Sequence, residues 1–274
     1  MIPAPFDYVR ADSYDAAAAA LGEHGDEAKL LAGGQSLLPL MKLRLATPAV
    51  VVDVSRARDL AYVRDDGGVL AIGALTRHCD VARSADVTAH APLLAHAAGS
   101  VGDPQVRHRG TVGGSVAHAD PSADIPTALL ALGASYVVRG PGGTREVSAA
   151  DFSTGFLETV LAPDELLVEI RVPSARGEAW GYEKFTRRAI DWATVAVAVQ
   201  KRGGETSVAL ANMGSTVLRA AATEAALASG AGAADAAAHA DEGTEPAADV
   251  TASAEFRRHL ARVLTKRALV AAGR

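Results

Sequence analysis

Two pairs of adjacent glycines carry the strongest chemical signal in this chain. They sit in Ala32-Gly33-Gly34-Gln35-Ser36 and in Thr111-Val112-Gly113-Gly114-Ser115. Glycine lacks a Cβ, tolerates positive φ and lets a backbone come close to a ligand. Each segment also holds a small hydroxyl residue. One such segment would say little. Two in one domain suggest a long phosphate-bearing ligand held at two places, and so a dinucleotide such as FAD. A strand, a glycine turn and a helix start together make an anion site, because first-turn amides lack intrahelical acceptors and the helix dipole is positive there. Gly33 to Ser36 fits that arrangement; the bland alternative is a tight turn with a capping serine. The Gly-Lys-Ser/Thr ending of a phosphate loop is missing, and so is the Gly-x-Gly-x-x-Gly spacing of a dinucleotide fingerprint.

The second segment lies in a long polar, glycine-rich stretch from Arg107 to Pro126. Arg107 and Arg109 could offset phosphate charge. Asp124 could accept hydrogen bonds from ribityl hydroxyls or orient a ring, while turn formation and helix capping are the plainer reading of Asp120 and Asp124. His118 reads as a packed or solvated histidine. His78, Cys79 and His108 form no recognisable metal set. No Gly-x-Ser-x-Gly or His-Glu-x-x-His motif occurs. Any redox chemistry therefore needs a cofactor.

The elements that must position these residues follow from apolar patterning. Ser13 caps a helix through Ala16 to Leu21, ended by Gly22 or Gly25. Lys29 to Ala32 reads as a short strand, Ser36 caps a helix over Leu37 to Leu45 with Pro39 in its first turn, and Val50 to Val54 is a second strand. A second lobe follows: a strand over Val69 to Ala74, a helix capped by Thr76, a helix over Pro92 to Val101, and a helix near Pro126 to Leu132. A strand over Ser135 to Arg139 then turns at Gly140-Pro141-Gly142-Gly143 into a partner over Thr144 to Val147, and Leu166 to Val172 is a strand ended by Pro173. Ser174 to Glu178 is a polar hinge. Beyond it, Trp180 to Thr186, Ala193 to Lys201 and Ser207 to Asn212 read as strands, the last two joined by Gly203-Gly204-Glu205. The remainder is alanine-rich helix broken by a loop around Asp241 to Asp249. The last helix, Ala254 to Ala272, sets Leu260, Val263 and Leu264 on one face and Arg257, Arg258 and Arg262 elsewhere.

Composition narrows the function classes. A net charge of -5 argues against a general nucleic-acid binder. No apolar run is long enough to span a bilayer, and the start lacks a basic region followed by an apolar stretch, so no signal peptide is expected and a cytoplasmic location is. Cys79 is the single cysteine, which excludes an internal disulfide and any four-cysteine iron–sulfur or zinc site.

The chain resembles the FAD-binding medium subunit of molybdenum hydroxylases, the carbon monoxide dehydrogenase and xanthine dehydrogenase family. The resemblance covers nearly the whole chain: the start Pro3-Ala4-Pro5-Phe6-Asp7-Tyr8, then LLAGGQSLLPLMKLRLATPAVVVDVSR, IGALTRH, RGTVGGSVAHADPSADIPTALLALGA, FLETVLAPDELLVEIRVP and EKFTRRAIDWATVAVAV. It implies an α+β protein. Residues 1–175 would form a two-lobed FAD-binding domain of the vanillyl-alcohol oxidase type, with lobes of about 1–57 and 58–175. Residues 176–274 would form a small α+β domain of antiparallel sheet plus helices. It also implies site residues. Ala32, Gly33, Gly34, Gln35 and Ser36 match the first FAD loop, expected at the pyrophosphate through backbone amides. Thr111, Val112, Gly113, Gly114 and Ser115 match the second, at the pyrophosphate and ribityl. Asp124 matches a cofactor-bonding acid, Leu167 an apolar residue near the isoalloxazine, and Lys184 a cofactor-contacting lysine. Trp192 stands where members place a tyrosine or aliphatic residue at the flavin face; for Leu167 and Trp192 simple core packing is the alternative. Ser115 departs from the asparagine of many members, keeping a donor and an acceptor on a shorter side chain.

The function so implied is electron transfer. A molybdopterin large subunit would hydroxylate a substrate, and a 2Fe-2S small subunit would pass electrons to this FAD, which would deliver them to NAD, a quinone, oxygen or another acceptor. The competing reading is a stand-alone FAD-dependent oxidase, dehydrogenase or monooxygenase. A third is a scaffold that no longer binds FAD.

Overall fold

The computed structural model describes residues 2–273. The first lobe comprises β1 (Asp7–Arg10), α1 (Tyr14–His24), β2 (Ala28–Leu31), α2 (Leu37–Lys42) and β3 (Val50–Asp53). Its three strands are parallel in the order β1-β3-β2. The fully apolar Val50-Val51-Val52 takes the centre, as a strand buried on both faces must. Sequence patterning had no sign of β1, whose residues are mostly exposed and do not alternate. Ser13 caps α1 by accepting from the Ala16 amide, and Gly25 ends it. Ser36 does not cap α2: its backbone is already helical and its hydroxyl takes no cap hydrogen bond.

The second lobe runs through β4 (Val63–Asp65), β5 (Val69–Gly73), α3 (His78–Arg83), α4 (Ala85–His90), α5 (Pro92–Gly99), α6 (Pro104–Arg107), α7 (Val112–His118), α8 (Asp124–Ala131), β6 (Ser135–Gly140), β7 (Gly143–Ser148), α9 (Ala149–Phe152), the small hairpin β8 (Ser153–Gly155) and β9 (Glu158–Thr159), and β10 (Leu166–Pro173). Its antiparallel sheet has the order β4-β5-β10-β6-β7. Thr76 does not cap α3. Its hydroxyl instead bonds the backbone N–H and C=O of Tyr62, and the helix begins after Arg77.

The third part consists of β11 (Trp180–Phe185), β12 (Val195–Arg202), β13 (Glu205–Ala211), β14 (Leu218–Arg219), α10 (Ala221–Ala228), α11 (Ala233–Ala237) and α12 (Ala254–Ala271). Its sheet is antiparallel in chain order. The mixed α+β organisation is thus present in full. β12 alternates valine and alanine, and the two faces do different work. Val195, Val197 and Val199 join Leu260, Ala261 and Leu264 of α12 in one apolar cluster. Ala198 and Ala209 belong to the core of the second lobe, with Leu129 of α8. Small side chains there let α8 lie close against the sheet. Segment 174–178 is not a free hinge: Ser174 donates to Gly68 O, and fully buried Ala175 donates to His90 O. Arg257, set apart from the apolar face of the last helix by the sequence pattern, is buried with it at 2% exposure, while Val263 is only partly buried.

Candidate flavin site

The first glycine segment follows β2 and turns into α2. Gly34 has φ +74°, which glycine accepts without strain. Gly33 abuts the second lobe: a Cβ there would lie 2.2 Å from Arg109 O. The amides of Gly33, Gly34, Gln35 and Ser36 have no acceptor among the described residues. Four consecutive unpaired N–H groups beside an open cleft suit an anion, since donors without acceptors must find ligand or water.

The second segment is built differently. It is not a loop but the N-cap and first turns of α7, with the Thr111 hydroxyl accepting from the Gly114 amide at 3.1 Å. Glycine inside a helix costs roughly 1 kcal/mol relative to alanine, and packing explains it. Gly113 donates to Ala74 O at 2.8 Å, and a Cβ on it would lie 2.5 Å from the Ala74 side chain. The remaining amides are also used: Val112 donates to Thr76 O and Ser115 to Thr111 O. This segment therefore offers a ligand the exposed Cα face of Gly114 and the half-buried Ser115 side chain rather than a run of free amides.

Ala32, Gly33, Gly34, Gln35, Ser36, Thr111, Gly113, Gly114, Ser115, Asp124, Leu167, Lys184 and Trp192 all line one cleft of about 450 Å³ where the two lobes and the third part meet. That volume lies within the ordinary range of ligand sites, roughly 300–1,000 Å³. Val112 does not line it; its side chain is fully buried in the core of the second lobe. Arg107 and Arg109 do not line it either. The Arg107 guanidinium donates to Val101 O and Gly102 O at 2.9 and 3.1 Å, so it shapes a wall of the cleft rather than facing a phosphate. Sequence reasoning missed Lys29, Gly102, Gly110, Leu161 and Asp191, which also line the cleft. Of these only Gly110 carried a signal, being glycine beside a motif; a Cβ there would strike the His78 ring at 2.8 Å.

Asp124 opens α8 and is buried at 4% exposure. Both carboxylate oxygens are engaged by the third part: Oδ2 accepts from Lys184 Nζ at 2.9 Å, and Oδ1 accepts from the Tyr182 hydroxyl. Lys184 also donates to Ser100 O at 3.3 Å. Burial raises the Asp124 carboxyl above its ordinary value of 3.8, outweighing the lowering by Lys184 and Tyr182. Asp124 and Lys184 are thus a bridge between the lobe and the third part as well as cleft residues. Asp120 makes a turn, its Oδ1 accepting from the Ser122 amide and hydroxyl. His118 lines the cleft, and burial lowers it below the usual histidine range. Burial and Arg107 hold His78 near 4, so it is neutral at physiological pH. No cluster of histidine, cysteine and carboxylate side chains able to hold a metal occurs among the described residues.

Leu167 is core and cleft residue at once, buried at 8% where β10 shifts register against β6. Trp192 is not core: it is 54% exposed in the loop between β11 and β12.

Comparison with known proteins decides the family. Residues 4–175 match the family described as FAD binding domain in molybdopterin dehydrogenase, and residues 180–272 match the CO dehydrogenase flavoprotein C-terminal domain. The chain belongs to the FAD-binding medium subunits of the carbon monoxide dehydrogenase and xanthine dehydrogenase family. It is 43% identical to the carbon monoxide dehydrogenase medium chain of Hydrogenophaga pseudoflava, covering 99% of this chain and 98% of that one. It is 36% identical to the 6-hydroxypseudooxynicotine dehydrogenase complex subunit alpha of Paenarthrobacter nicotinovorans, over 99% and 96%. The structure of the Hydrogenophaga pseudoflava carbon monoxide dehydrogenase lacking the Mo-pyranopterin moiety superposes with a TM-score of 0.96 at 44% identity, covering 100% of this chain and 99% of that one. Quinoline 2-oxidoreductase from Pseudomonas putida 86 superposes at 0.92 with 33% identity, covering 100% and 99%. FAD is the cofactor of this family domain, and the chain is an oxidoreductase subunit. Among the described residues no helix is long and apolar enough to cross a membrane.

Proposed function

We propose that this chain is the electron-transfer subunit of a molybdenum hydroxylase. It receives electrons from a 2Fe-2S partner, with a molybdopterin large subunit doing the hydroxylation, and delivers them to an external acceptor. The observation that carries this reading is the cleft itself. Four unpaired amides at Gly33–Ser36 and an apolar wall at Leu167 and Trp192 face one space, as a molecule with a diphosphate and a flat ring system requires. Bound FAD supplies two-electron redox chemistry that no side chain here can perform.

The residues take distinct parts in this reading. The amides of Gly33 to Ser36 would hold the pyrophosphate, with Gly114 and Ser115 also lining the cleft. Lys184 and Asp124 neutralise each other at the cleft wall and fix the approach of the third part. Leu167 and Trp192 would offer the ring an apolar wall and limit water. We take residues 1–175 as the flavin-binding unit and 176–274 as the unit that carries Lys184 and Trp192 to it. The extents of the two family matches support this division.

Partners are inferred from two facts. The chain has one cysteine, buried at Cys79, so it cannot hold a cysteine-ligated cluster. Its full-length relatives carry names as different as carbon monoxide, caffeine and nicotine-derivative dehydrogenases. Such breadth on one flavin fold supports substrate reading by another subunit. Purification of the native assembly tests this: flavin, iron and molybdenum should co-purify with three polypeptides. A single flavin-bearing polypeptide without metal, active on a small molecule, would overturn it in favour of a stand-alone flavoenzyme.

A further inference from the structure

We propose that Asn212 and Arg257 are positioning residues that fix Trp192 at the mouth of the cleft. The inference rests on the flavin reading of that cleft. Trp192 follows the exposed run 187–190 in the loop between β11 and β12, and no ring stacks on it among the described residues. The backbone on either side of it is what neighbouring elements hold by hydrogen bonds. The loop is closed at its base by the Thr194 amide, which donates to Phe185 O at 2.9 Å. Two side chains from distant elements then grip consecutive carbonyls next to Trp192. Asn212 Nδ2 donates to Ala193 O at 2.8 Å, and Arg257 Nη1 donates to Thr194 O at 2.5 Å.

Both side chains are held in costly ways that packing alone does not explain. Arg257 is 2% exposed on the buried face of α12. A buried guanidinium is unfavourable unless its donors are paired. Its Nη2 pairs with Asp249 at 2.7 Å, its Nη1 reaches Thr194 O, and its Nε has no partner. Asn212 has φ +62°, a left-handed backbone that asparagine tolerates better than most residues. That conformation lets its amide donate to Pro121 O at 2.7 Å, three residues before Asp124, while its side chain holds Ala193. The cleft wall around Asp124 and the Trp192 loop are thereby kept in register through one residue.

The test uses the flavin-loaded and flavin-stripped chain with Asn212→Gly, Arg257→Lys and Trp192→Ala. Asn212→Gly keeps the positive φ and removes the side-chain donor; Arg257→Lys keeps the charge and loses the planar fork. Trypsin should cut after Arg187 and Arg188 about tenfold faster in both anchor variants than in wild type, the scale of one lost hydrogen bond in local opening. Cleavage elsewhere should be unchanged. Reoxidation of the reduced bound flavin by a small dye should shift by a similar factor in all three single variants. Adding Asn212→Gly to Trp192→Ala should then change little further, because both act through one side chain. Unchanged loop cleavage, or effects that multiply in the double variant, would overturn the proposal. If Arg257→Lys fails to fold, Asn212→Gly decides alone. A chain that takes up no flavin would refute the functional reading, while the cleavage rates still decide the anchoring.

Discussion

Gly33 and Gly34 are adjacent, but they need the absence of a side chain for different reasons. Gly34 needs its positive φ; Gly33 needs its bare Cα face, against which Arg109 O rests. Alanine at Gly33 must therefore push the two lobes apart. We expect Gly33→Ala to weaken flavin binding at least tenfold and to destabilise the fold by about 1–3 kcal/mol, the usual range for overpacking. Flavin fluorescence titration and a denaturant melt measure the two effects separately. Asp124 gives a prediction in pH. Its folded value lies above 3.8, so between 3.8 and that raised value the folded state binds more protons than the unfolded chain. The contribution of Asp124 to stability is then full below 3.8 and is lost as pH rises through the folded value. Wild type should lose stability relative to Asp124→Asn as pH rises across that window. Glu165 behaves oppositely: Arg145 holds it below 4.5, so wild type should lose stability relative to Glu165→Gln as pH falls from 4.5 through that lowered folded value.

At the scale of elements, α7 shows how tertiary contact overrides a weak helix sequence. Its first turn contains Gly113 and Gly114, and its start depends on the Thr111 cap and on hydrogen bonds to Ala74 and Thr76. Thr111→Ala should cost about 1 kcal/mol, as cap removal does, and Thr111→Ser should recover most of it. Thermal melts of the three proteins with and without FAD check this. β12 gives the complementary case. Its valine face packs under α12 and its alanine face against the α8 core. Ala198→Leu should destabilise by roughly 1–3 kcal/mol through overpacking, whereas Val197→Ile, on the opposite face, should not disturb α8. The alternation itself was readable as a strand. That the alanines, rather than the valines, face another part of the protein was not.

For the whole molecule, the Lys184–Asp124 pair joins parts of the chain sixty residues apart. Both partners are buried, at 11% and 4% exposure of their side chains. Removing one should cost more than the pair contributes: Lys184→Met is expected to destabilise by about 3–5 kcal/mol because it strands a buried carboxylate. Asp124→Leu combined with Lys184→Met should regain much of that loss, since two apolar groups can replace a buried pair. If the double variant is no better than Lys184→Met, the pair has another role. In either case flavin affinity should fall, because the same contact fixes one wall of the cleft.

Much of this was present in the sequence. Paired glycines, strand patterning around Val50 and Val195 and the lone cysteine are legible locally, and the resemblance carried by the order of the motifs implies the two-lobed FAD domain with a small α+β unit after it. The local features are properties of neighbours in the chain, set by propensity and periodicity. What only the tertiary structure decided depends on partners far away in sequence. Contacts to Ala74 and Thr76 make Thr111–Ser115 a helix start whose amides are spent, whereas the amides of Gly33–Ser36 stay unpaired. Thr194 and Asp249 pair with Arg257 and make it a buried brace, which helix periodicity alone does not show. The third part closes the cleft by bringing Lys184 and Trp192 to glycines that lie more than 60 residues earlier. A glycine pair specifies that a backbone can come close to something; only the fold specifies which of its amides stay unpaired at the cleft and which are spent on the protein.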